Sequence, residues 1–321
     1  MRPETTHHAG IIGAGPAGIA AAVQLARHGV RPVVFEKGLT GGLLRTAWRV
    51  ENFPGFPGGI SGPDLAGFLD EQLCASGAQL IDEEVALLDR EDGLLVCRTG
   101  GGALRFGAVI VASGTRPRRV IDIDVSEDAR ERIFHEAGEL RGVAGARIVV
   151  VGGGDAAFDY ALGLSEENDV TILIRGGSAR CLPLLESRSR SRERVTVRVQ
   201  TRLTAIALET GGRLKLTSVS PSAAGGVRKD TAADYVVLAA GREPDDGFLS
   251  EEVRLNAPTF EARRELLFAG DVRSGIFRQA SIAAGQGTHA AMKVAAMLRD
   301  SVGADVGFGK TRGARSRGES H

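Results

Sequence analysis

The chain is poor in cysteine, in aromatic side chains and in net charge. It holds three cysteines among 321 residues, Cys74, Cys97 and Cys181, and no two of them form a CxxC motif. Such a low and odd count favours a reducing, cytoplasmic setting over a disulfide scaffold. Aromatic residues make up 5% of the chain, so we expect a mostly aliphatic core. The net charge of zero argues against nucleic acid as the main partner, and we expect no metal site.

Long apolar runs are also scarce. The stretch 9–26 is apolar and lies near the N-terminus, but it contains a glycine-rich turn with a proline. It leads into a strand at 31–36 rather than into a cleavage site. No other segment approaches the roughly 20 apolar residues of a membrane-spanning helix. We therefore expect neither a signal peptide nor a membrane partner.

Glycine, in contrast, is abundant, and it forms two dinucleotide fingerprints. In the first, Gly13, Gly15 and Gly18 lie between a short strand and a helix, and Glu36 follows 23 positions after Gly13. In a βαβ unit such glycines permit a tight turn, a close approach to pyrophosphate and close helix–strand packing. The acid accepts hydrogen bonds from free ribose hydroxyls and repels a 2′-phosphate. This pattern predicts an FAD site.

The second fingerprint ends in the opposite charge. Gly152, Gly154 and Asp155 open it, and Arg175 follows 23 positions after Gly152. An arginine at this position attracts a 2′-phosphate, and Arg180 adds a second positive charge. The pattern predicts a site for NADPH, with NADH as an open alternative. We expect Asp155 to cap the following helix.

Several ordered motifs carry a resemblance to a known family. They are the segments 13–18, 41–44 (GGLL), 50–55 (VENFPG), 112–118 (ASGTRPR), 150–155 (VVGGGD), 240–242 (AGR), 269–271 (AGD) and 278–280 (RQA). On these residues the chain resembles the low-molecular-weight thioredoxin reductase family, from about Ile11 to Leu298.

The resemblance implies an α/β protein with two Rossmann-like, three-layer ββα domains, the NAD(P)H-binding domain being inserted into the FAD-binding domain. With crossovers at 113–117 and 241–244, residues 1–115 and 242–302 would form the FAD domain and 116–241 the NAD(P)H domain. Residues 303–321 would be a disordered tail. The resemblance also implies a homodimer and a rotation of one domain against the other during turnover.

The expected cofactor residues come from the fingerprints and the resemblance together. The resemblance places Asp271 on the ribityl chain, Gln279 near the flavin ring and Asn52 in the FAD site. The FAD set is Gly13, Gly15, Pro16, Ala17, Gly18, Glu36, Lys37, Gly42, Leu43, Asn52, Val85, Ser113, Gly114, Gly270, Asp271, Arg278, Gln279 and Ala280. The NAD(P)H set is Gly152, Gly154, Asp155, Ala156, Arg175, Arg180 and Gly241.

The chain departs from the family where the redox dithiol lies. The family's CxxC falls on residues 135–138 (HEAG), and the aspartate that follows it falls on Glu139, so both sulfurs are missing. Without thiols no mixed disulfide forms. We therefore expect electrons to pass from NADPH through FAD to a non-disulfide acceptor such as ferredoxin or flavodoxin. The alternatives are a flavin-dependent oxidase or dehydrogenase of a small molecule, and a flavin- or nucleotide-sensing module without turnover.

Three further features have two interpretations each. His135 and Glu139, spaced i, i+4, would share a helical face as a catalytic acid/base pair, or form a surface pair without chemistry. The basic run 187–194, with Arg116, Arg118 and Arg119, would dock an acidic carrier or simply be a solvated face. Trp48 would stack in the active cleft or have an ordinary packing role.

Overall fold

The computed structural model describes residues 6–222 and 225–305. The helices of this described part are α1 (Pro16–Arg27), α2 (Gly62–Ala75), α3 (Asp155–Leu164), α4 (Pro183–Arg190), α5 (Glu251–Ala262) and α6 (Ala280–Asp305), with 3-10 helices at Gly42–Thr46, Glu127–Arg132 and Ala137–Leu140. Helix α1 begins with Pro16, where the missing N–H is tolerated, and is followed by Gly29 at φ +78°. The Ser61 and Ser250 hydroxyls cap α2 and α5.

The strands lie in four sheets. In chain order they are β1 (Thr6–Ile12), β2 (Val33–Phe35), β3 (Gln79–Ile81), β4 (Leu87–Glu91), β5 (Leu94–Thr99), β6 (Gly102–Val111), β7 (Thr115–Pro117), β8 (Asp124–Val125), β9 (Ile133–Phe134), β10 (Arg147–Val151), β11 (Asp169–Leu173), β12 (Val195–Arg198), β13 (Arg202–Leu208), β14 (Leu214–Ser222), β15 (Gly225–Ala233), β16 (Tyr235–Leu238), β17 (Arg242–Pro244) and β18 (Leu266–Phe268).

The first domain is a three-layer structure built around a seven-stranded sheet of order β3-β2-β1-β6-β5-β4, in which β18 also pairs with β6. Strands β1, β2, β3, β6 and β18 run parallel, while β4, β5 and β6 form an antiparallel meander. Helices α1 and α6 cover one face, where Ile19, Leu25 and Val294 are buried. Helix α5 packs on the other face through Val253 and Phe260. Residues from both ends of the chain therefore share one core.

The second domain repeats this plan with a parallel sheet of order β12-β11-β10-β16-β9. Successive residues of a strand point to opposite faces, so Val150 faces α3 and α4 while Val149 faces a second sheet of order β15-β14-β13-β8. Phe158 fills the helical side and Leu216 fills the side of the second sheet.

A two-stranded ribbon joins the domains. Strands β7 and β17 pair antiparallel, with Arg116 opposite Glu243, and these two side chains form an ion pair at 3.0 Å. The chain enters and leaves the second domain side by side at this ribbon. The residue-level boundaries at 115/116 and 241/242 stay predictions.

The C-terminal boundary differs from the sequence prediction. Helix α6 continues to Asp305, so residues 303–305 are helical, whereas a disordered tail was predicted from 303. The rest of that tail, 306–321, lies outside the described residues.

Candidate functional site

The first fingerprint forms a glycine turn at the N-terminus of α1. Gly13 has φ +100°, and its N–H donates to the Phe35 carbonyl at 2.8 Å. A Cβ at Gly18 would lie 1.8 Å from the Gly13 carbonyl oxygen, so only glycine lets helix and strand approach this closely. Gly15 caps the helix without a side-chain partner, and a Cβ placed there would meet nothing within 4 Å. The turn therefore presents free N–H groups to an open space, the arrangement that binds pyrophosphate.

Glu36 is held next to this turn. Its carboxylate accepts hydrogen bonds from the backbone N–H of Ala14 at 2.7 Å and of Gly38 at 3.0 Å. The carboxylate is thereby fixed at the end of β2, where a βαβ unit meets the adenosine ribose. Its neighbour Lys37 forms ion pairs with Glu84 and Asp245, so its ammonium group is bound to protein carboxylates at the surface.

Two backbone segments form the wall of the first site. The Gly41 N–H donates to the Ala14 carbonyl at 2.7 Å, and Gly42, at φ +53°, approaches Gly15 closely. The 3-10 helix that carries Gly42 and Leu43 therefore lies against the fingerprint turn.

The opposite wall comes from the crossover. There, the Ser113 hydroxyl donates to the Asp245 carbonyl at 2.6 Å, and Gly114 has φ +70°. The side chain of Val85, assigned to the site from the sequence, is buried in the core beneath α5, and its role in the site stays a prediction. Gly241 is a left-handed turn residue before β17.

Residues of the C-terminal part reach the same site. Gly270, at φ +80°, donates its N–H to the Gln286 side chain at 2.7 Å, which fixes the turn before Asp271. Burial raises the pKa of Asp271, against the opposing effect of nearby Arg278 and Arg242. The Asn52 amide donates to Gln279 Oε1 at 2.7 Å, so these two predicted residues lie together although 227 positions separate them in the chain.

The beginning of α6 completes the first site. The Nε of Arg278 is buried without a partner among the described residues, and Ala280 opens the helix. A buried donor without a partner costs free energy, so this guanidinium is a candidate contact for a bound group.

The second fingerprint has the same geometry at the N-terminus of α3. A Cβ on Gly152 would lie 2.4 Å from the Ala239 carbonyl oxygen, whereas one on Gly154 would meet nothing within 4 Å. Gly154 is the N-cap, and its side-chain position is open. Ala156 in the first turn of α3 is exposed, as are Arg175 and Arg180. The site thus combines an open helix N-terminus with two exposed guanidinium groups.

Asp155 does not cap the helix, contrary to the prediction. It is the first helical residue, and the N-cap Gly154 has no side-chain partner. The Asp155 carboxylate turns instead to the backbone N–H of Leu182, at 2.8 Å. The physical reason is position: a capping acceptor must precede the helix, and Asp155 lies one residue too late.

The segment 135–138, on which the resemblance places the family dithiol, lies between the domains. A Cβ on Gly138 would lie 3.3 Å from Thr46 Cγ2, and Arg141 donates to the Arg45 carbonyl at 2.9 Å. Glu136 pairs with Arg242 at 3.1 Å, and both side chains are half-buried. The segment therefore packs directly against the wall of the first site.

The predicted helical pair of His135 and Glu139 is wrong. The 3-10 helix begins only at Ala137, so His135 lies outside it, and Glu139 is exposed. The carboxylate engaged in the cleft is that of Glu136. Nδ1 of His135 is buried and has no hydrogen-bond partner among the described residues.

One loop of the first domain makes most of the contacts with the second. The Trp48 N–H donates to Asp159 at 2.8 Å, and its indole Nε1 donates to Glu166 at 2.8 Å. Glu51 accepts a bidentate pair of bonds from Arg188 at 2.6 and 3.0 Å. Trp48 is thus a bridging residue between the domains: the indole has the predicted packing role, and its hydrogen bonds to the second domain are an addition that the sequence did not indicate.

The predicted basic patch is largely engaged. Arg188 pairs with Glu51, Arg190 pairs with Glu186 within α4, and Arg192 lies over the Trp48 ring at 5.9 Å. Arg116 pairs with Glu243 in the ribbon. These arginines are therefore held in contacts within the protein. Arg188 belongs to the interface between the Trp48 loop and helix α4.

Asp159 is the titratable group that the interface perturbs most clearly. Burial raises its pKa to about 6, against hydrogen bonds from the backbone N–H of Trp48 and Arg49, and Asp155 adds a smaller unfavourable charge. Nothing in the local sequence signals this residue, because its partners are 111 positions away.

The described residues, 6–222 and 225–305, contain no group of three side chains that could hold a metal ion. Within the same part of the chain, no helix combines the length and the hydrophobicity that crossing a membrane requires.

The fold and the two glycine turns define a two-dinucleotide oxidoreductase, with one site suited to FAD and the other to a phosphorylated nicotinamide dinucleotide. The chain belongs to the pyridine nucleotide-disulphide oxidoreductase family, which matches residues 7–287. This family and the solved structures below confirm both the predicted resemblance and the predicted two-domain fold class.

Similar proteins are thioredoxin reductases. The enzyme of Streptomyces clavuligerus is 32% identical over 313 residues, covering 91% of this chain and 94% of its own. NADPH-dependent thioredoxin reductase 3 of Arabidopsis thaliana is 31% identical over 300 residues, and the chain spans 56% of that relative's length. The crystal structure of T. acidophilum thioredoxin reductase has a TM-score of 0.80 at 25% identity, covering 92% of this chain and 99% of that one.

These relatives confirm the cofactor prediction of FAD and NADPH, which thioredoxin reductases use. They overturn the prediction of ferredoxin or flavodoxin as the partner, because the relatives are thioredoxin reductases. The small-molecule oxidase and the sensing module are wrong for the same reason. The protein is an FAD-dependent pyridine nucleotide-disulfide oxidoreductase.

Proposed function

We propose that the protein is an NADPH-dependent disulfide reductase of the thioredoxin reductase type, and that thioredoxin, named in its relatives, is the first substrate to test. The proposal depends on one observation: two open glycine turns in one chain are followed by opposite charges, Glu36 and Arg175. FAD, when bound, accepts a hydride from NADPH and passes two electrons to a disulfide. The balance is NADPH, one proton and a disulfide giving NADP⁺ and two thiols.

The chain's own residues supply binding and orientation. The free N–H groups at Gly15 and Gly154 receive the two pyrophosphates. Glu36 orients the ribose of FAD, and Arg175 with Arg180 receives the 2′-phosphate of NADPH. These side chains stand at the turns where such groups would bind, and this placement supports the assignment.

We further propose that the protein works without a redox dithiol of its own. Its three cysteines lie on different elements: Cys74 is exposed on α2, Cys97 is buried in β5, and Cys181 lies before α4. Burial raises the pKa of the Cys97 thiol far above its usual range, which makes it unreactive. The disulfide of the substrate would therefore take electrons directly in the cleft next to the 135–138 segment.

Rapid anaerobic mixing with NADPH or NADH tests the first proposal. We expect NADPH to bleach the bound flavin faster than NADH, and oxidised thioredoxin to restore its colour. A flavin that NADPH fails to reduce would contradict the assignment of the second site. A reduced flavin that no disulfide reoxidises would contradict the disulfide reductase activity.

Cysteine substitutions test the second proposal separately. We expect the double variant Cys74→Ser/Cys181→Ser to keep the disulfide-dependent turnover of the parent chain, since neither thiol takes part. Cys74→Ser alone is the control for a surface effect. A loss of turnover that leaves flavin reduction by NADPH intact would show that one of these thiols relays electrons.

His135 remains our proposed proton donor for the leaving thiolate. Its support is a buried Nδ1 without a partner among the described residues, at the cleft between the domains. We expect His135→Gln to change the pH profile of disulfide turnover while the rate of flavin reduction stays unchanged. An unaltered pH profile removes His135 from the chemistry. Glu139, being exposed, has no comparable support.

The cellular setting and the oligomeric state are further proposals. The unpaired cysteines support a cytoplasmic, reducing setting. The resemblance supports a homodimer, which light scattering on the FAD-loaded protein would test; a monomer at micromolar concentration would contradict it.

A further inference from the structure

The loop that carries the two arginines of the second site is tied down at both ends. The segment 174–182 follows β11, and Gly176 in its first half accepts from the Gln200 N–H at 2.8 Å. In its second half, the Arg180 N–H donates to the Gly153 carbonyl at 2.7 Å. The next bond is the one from the Leu182 N–H to Asp155, at 2.8 Å. The fingerprint turn itself therefore anchors the part of the loop that contains Arg180.

Asp155 is an unfavourable residue for an anion site on simple electrostatic grounds. It places a carboxylate in the first turn of α3, next to the N–H groups that would receive pyrophosphate. Its charge would repel a dinucleotide phosphate, and it does not cap the helix. Its one described hydrogen bond reaches 27 residues along the chain, to the backbone of the arginine loop.

We propose that Asp155 is a positioning residue that determines selectivity for the phosphorylated dinucleotide. Its carboxylate fixes Leu182, and the Gly153 carbonyl fixes Arg180, so the guanidinium of Arg180 stays at the edge of the fingerprint where a 2′-phosphate would lie. The effect passes through the backbone, and Asp155 itself touches no ligand. This inference rests on the proposed role of the second site as the NADPH site.

The size of the effect follows from the bond that is lost. A hydrogen bond to a charged acceptor is stronger than one between neutral groups, and the solvent exposure of Asp155 reduces this contribution. Arg180 would remain in the chain but sample more positions. We therefore expect a loss of about 3–10-fold in affinity for the 2′-phosphate and no loss for the rest of the nucleotide.

The test measures binding by titration calorimetry on the FAD-loaded protein, without turnover. The probes are adenosine 2′,5′-bisphosphate and 5′-AMP, which differ by the 2′-phosphate alone. The variants are Asp155→Ala, Asp155→Asn, Leu182→Pro, and the double variant Asp155→Ala/Leu182→Pro. Leu182 has φ −55°, which proline adopts, so Leu182→Pro removes the donor N–H while keeping this backbone angle.

We expect Asp155→Ala and Leu182→Pro each to raise the ratio of the bisphosphate Kd to the 5′-AMP Kd about 3–10-fold, because loss of the Asp155 charge acts on the 5′-phosphate of both probes alike. The double variant should be no worse than either single variant, because both remove one bond. Asp155→Asn should bind as well as the parent chain or better, since the amide oxygen still accepts and the repelling charge is gone.

Three results would overturn the inference: equal losses for both probes, additive losses in the double variant, or an Asp155→Asn variant as weak as Asp155→Ala. Arg180→Ala sets the scale for complete loss of the guanidinium. If Asp155→Ala fails to fold, Leu182→Pro and Asp155→Asn still decide the question. If the parent chain binds the two probes equally well, the result contradicts the proposed NADPH site and not only the role of Asp155.

Discussion

At the scale of single residues, the glycines of the first fingerprint have two separable duties. Gly18 is required for packing, because a Cβ there would lie 1.8 Å from the Gly13 carbonyl oxygen. We propose that Gly15 is required for binding, because its missing Cβ leaves an open space at the N-terminus of α1. The sequence pattern alone does not separate these duties, since all three glycines belong to one motif.

Alanine substitutions separate them. Gly15 has φ −77°, which alanine adopts without strain, so we expect Gly15→Ala to fold and to be purified with little or no bound flavin. Gly18→Ala should lower the free energy of unfolding by about 3 kcal/mol or more, because the backbone must move. Circular dichroism and the ratio of flavin to protein absorbance check both outcomes. A flavin-loaded Gly15→Ala variant contradicts the assignment of this turn.

At the scale of elements, helix α3 serves two sites. Its N-terminus forms the second fingerprint, and Asp159, one turn further on, accepts the backbone N–H groups of the Trp48 loop. Burial of this carboxylate opposes its ionisation and raises its pKa to about 6. The folded protein therefore holds the Asp159 proton more tightly than the unfolded chain, in which an aspartate has a pKa near 4.

The pH dependence of stability follows from this raised pKa. Between about pH 4 and pH 6 the folded state binds more protons at Asp159 than the unfolded state, so this group's contribution falls as the pH rises. Above pH 6 the loss is complete, at about 2–3 kcal/mol. We expect Asp159→Asn, which keeps the acceptor oxygen, to remove this decline and to raise the Tm above pH 6. Urea unfolding at several pH values measures the decline, and thermal unfolding above pH 6 measures the Tm; a parallel pH profile in the variant excludes Asp159 as the cause.

At the scale of the whole molecule, the two domains are joined by the β7–β17 ribbon, by the loop that carries Trp48 and Glu51, and by contacts of the 136–141 segment with Arg45 and Thr46. Trp48 and Glu51 from the first domain contact Asp159, Glu166 and Arg188 of the second. A Cβ on Gly163 would lie 3.1 Å from the Trp48 ring, so the indole packs directly onto α3. A rotation between the domains, which the resemblance implies and which stays a prediction, would have to break these contacts.

Removal of the indole should loosen this arrangement. Trp48→Ala keeps the backbone hydrogen bond to Asp159 but loses the hydrogen bond to Glu166 and the packing on Gly163. We therefore expect the free energy of unfolding to fall by roughly 1–2 kcal/mol. Hydrogen exchange of the α3 amides should rise relative to those of α1. Arg190→Ala is the matched control, because its ion pair with Glu186 stays within α4. Equal exchange in both variants would mean that Trp48 does not hold the domains together.

The sequence by itself determined the features whose causes are local. A glycine turn, the helix after it and the charge 23 positions on lie in one βαβ unit, so Gly13–Glu36 and Gly152–Arg175 predicted both cofactor sites. The missing CxxC is likewise a fact of the sequence. The acceptor was mispredicted because a missing motif indicates which chemistry is absent and does not name the partner.

Only the tertiary structure decided the contacts between residues that are distant in the chain. Asp155 meets Leu182 across 27 positions, and Glu51 meets Arg188 across 137. It also showed that Glu136, and not Glu139, is the carboxylate that forms an ion pair in the cleft, because the 3-10 helix starts two residues after His135. Side-chain identity sets which bonds a residue can form, but the packing of two domains sets which partner comes within reach.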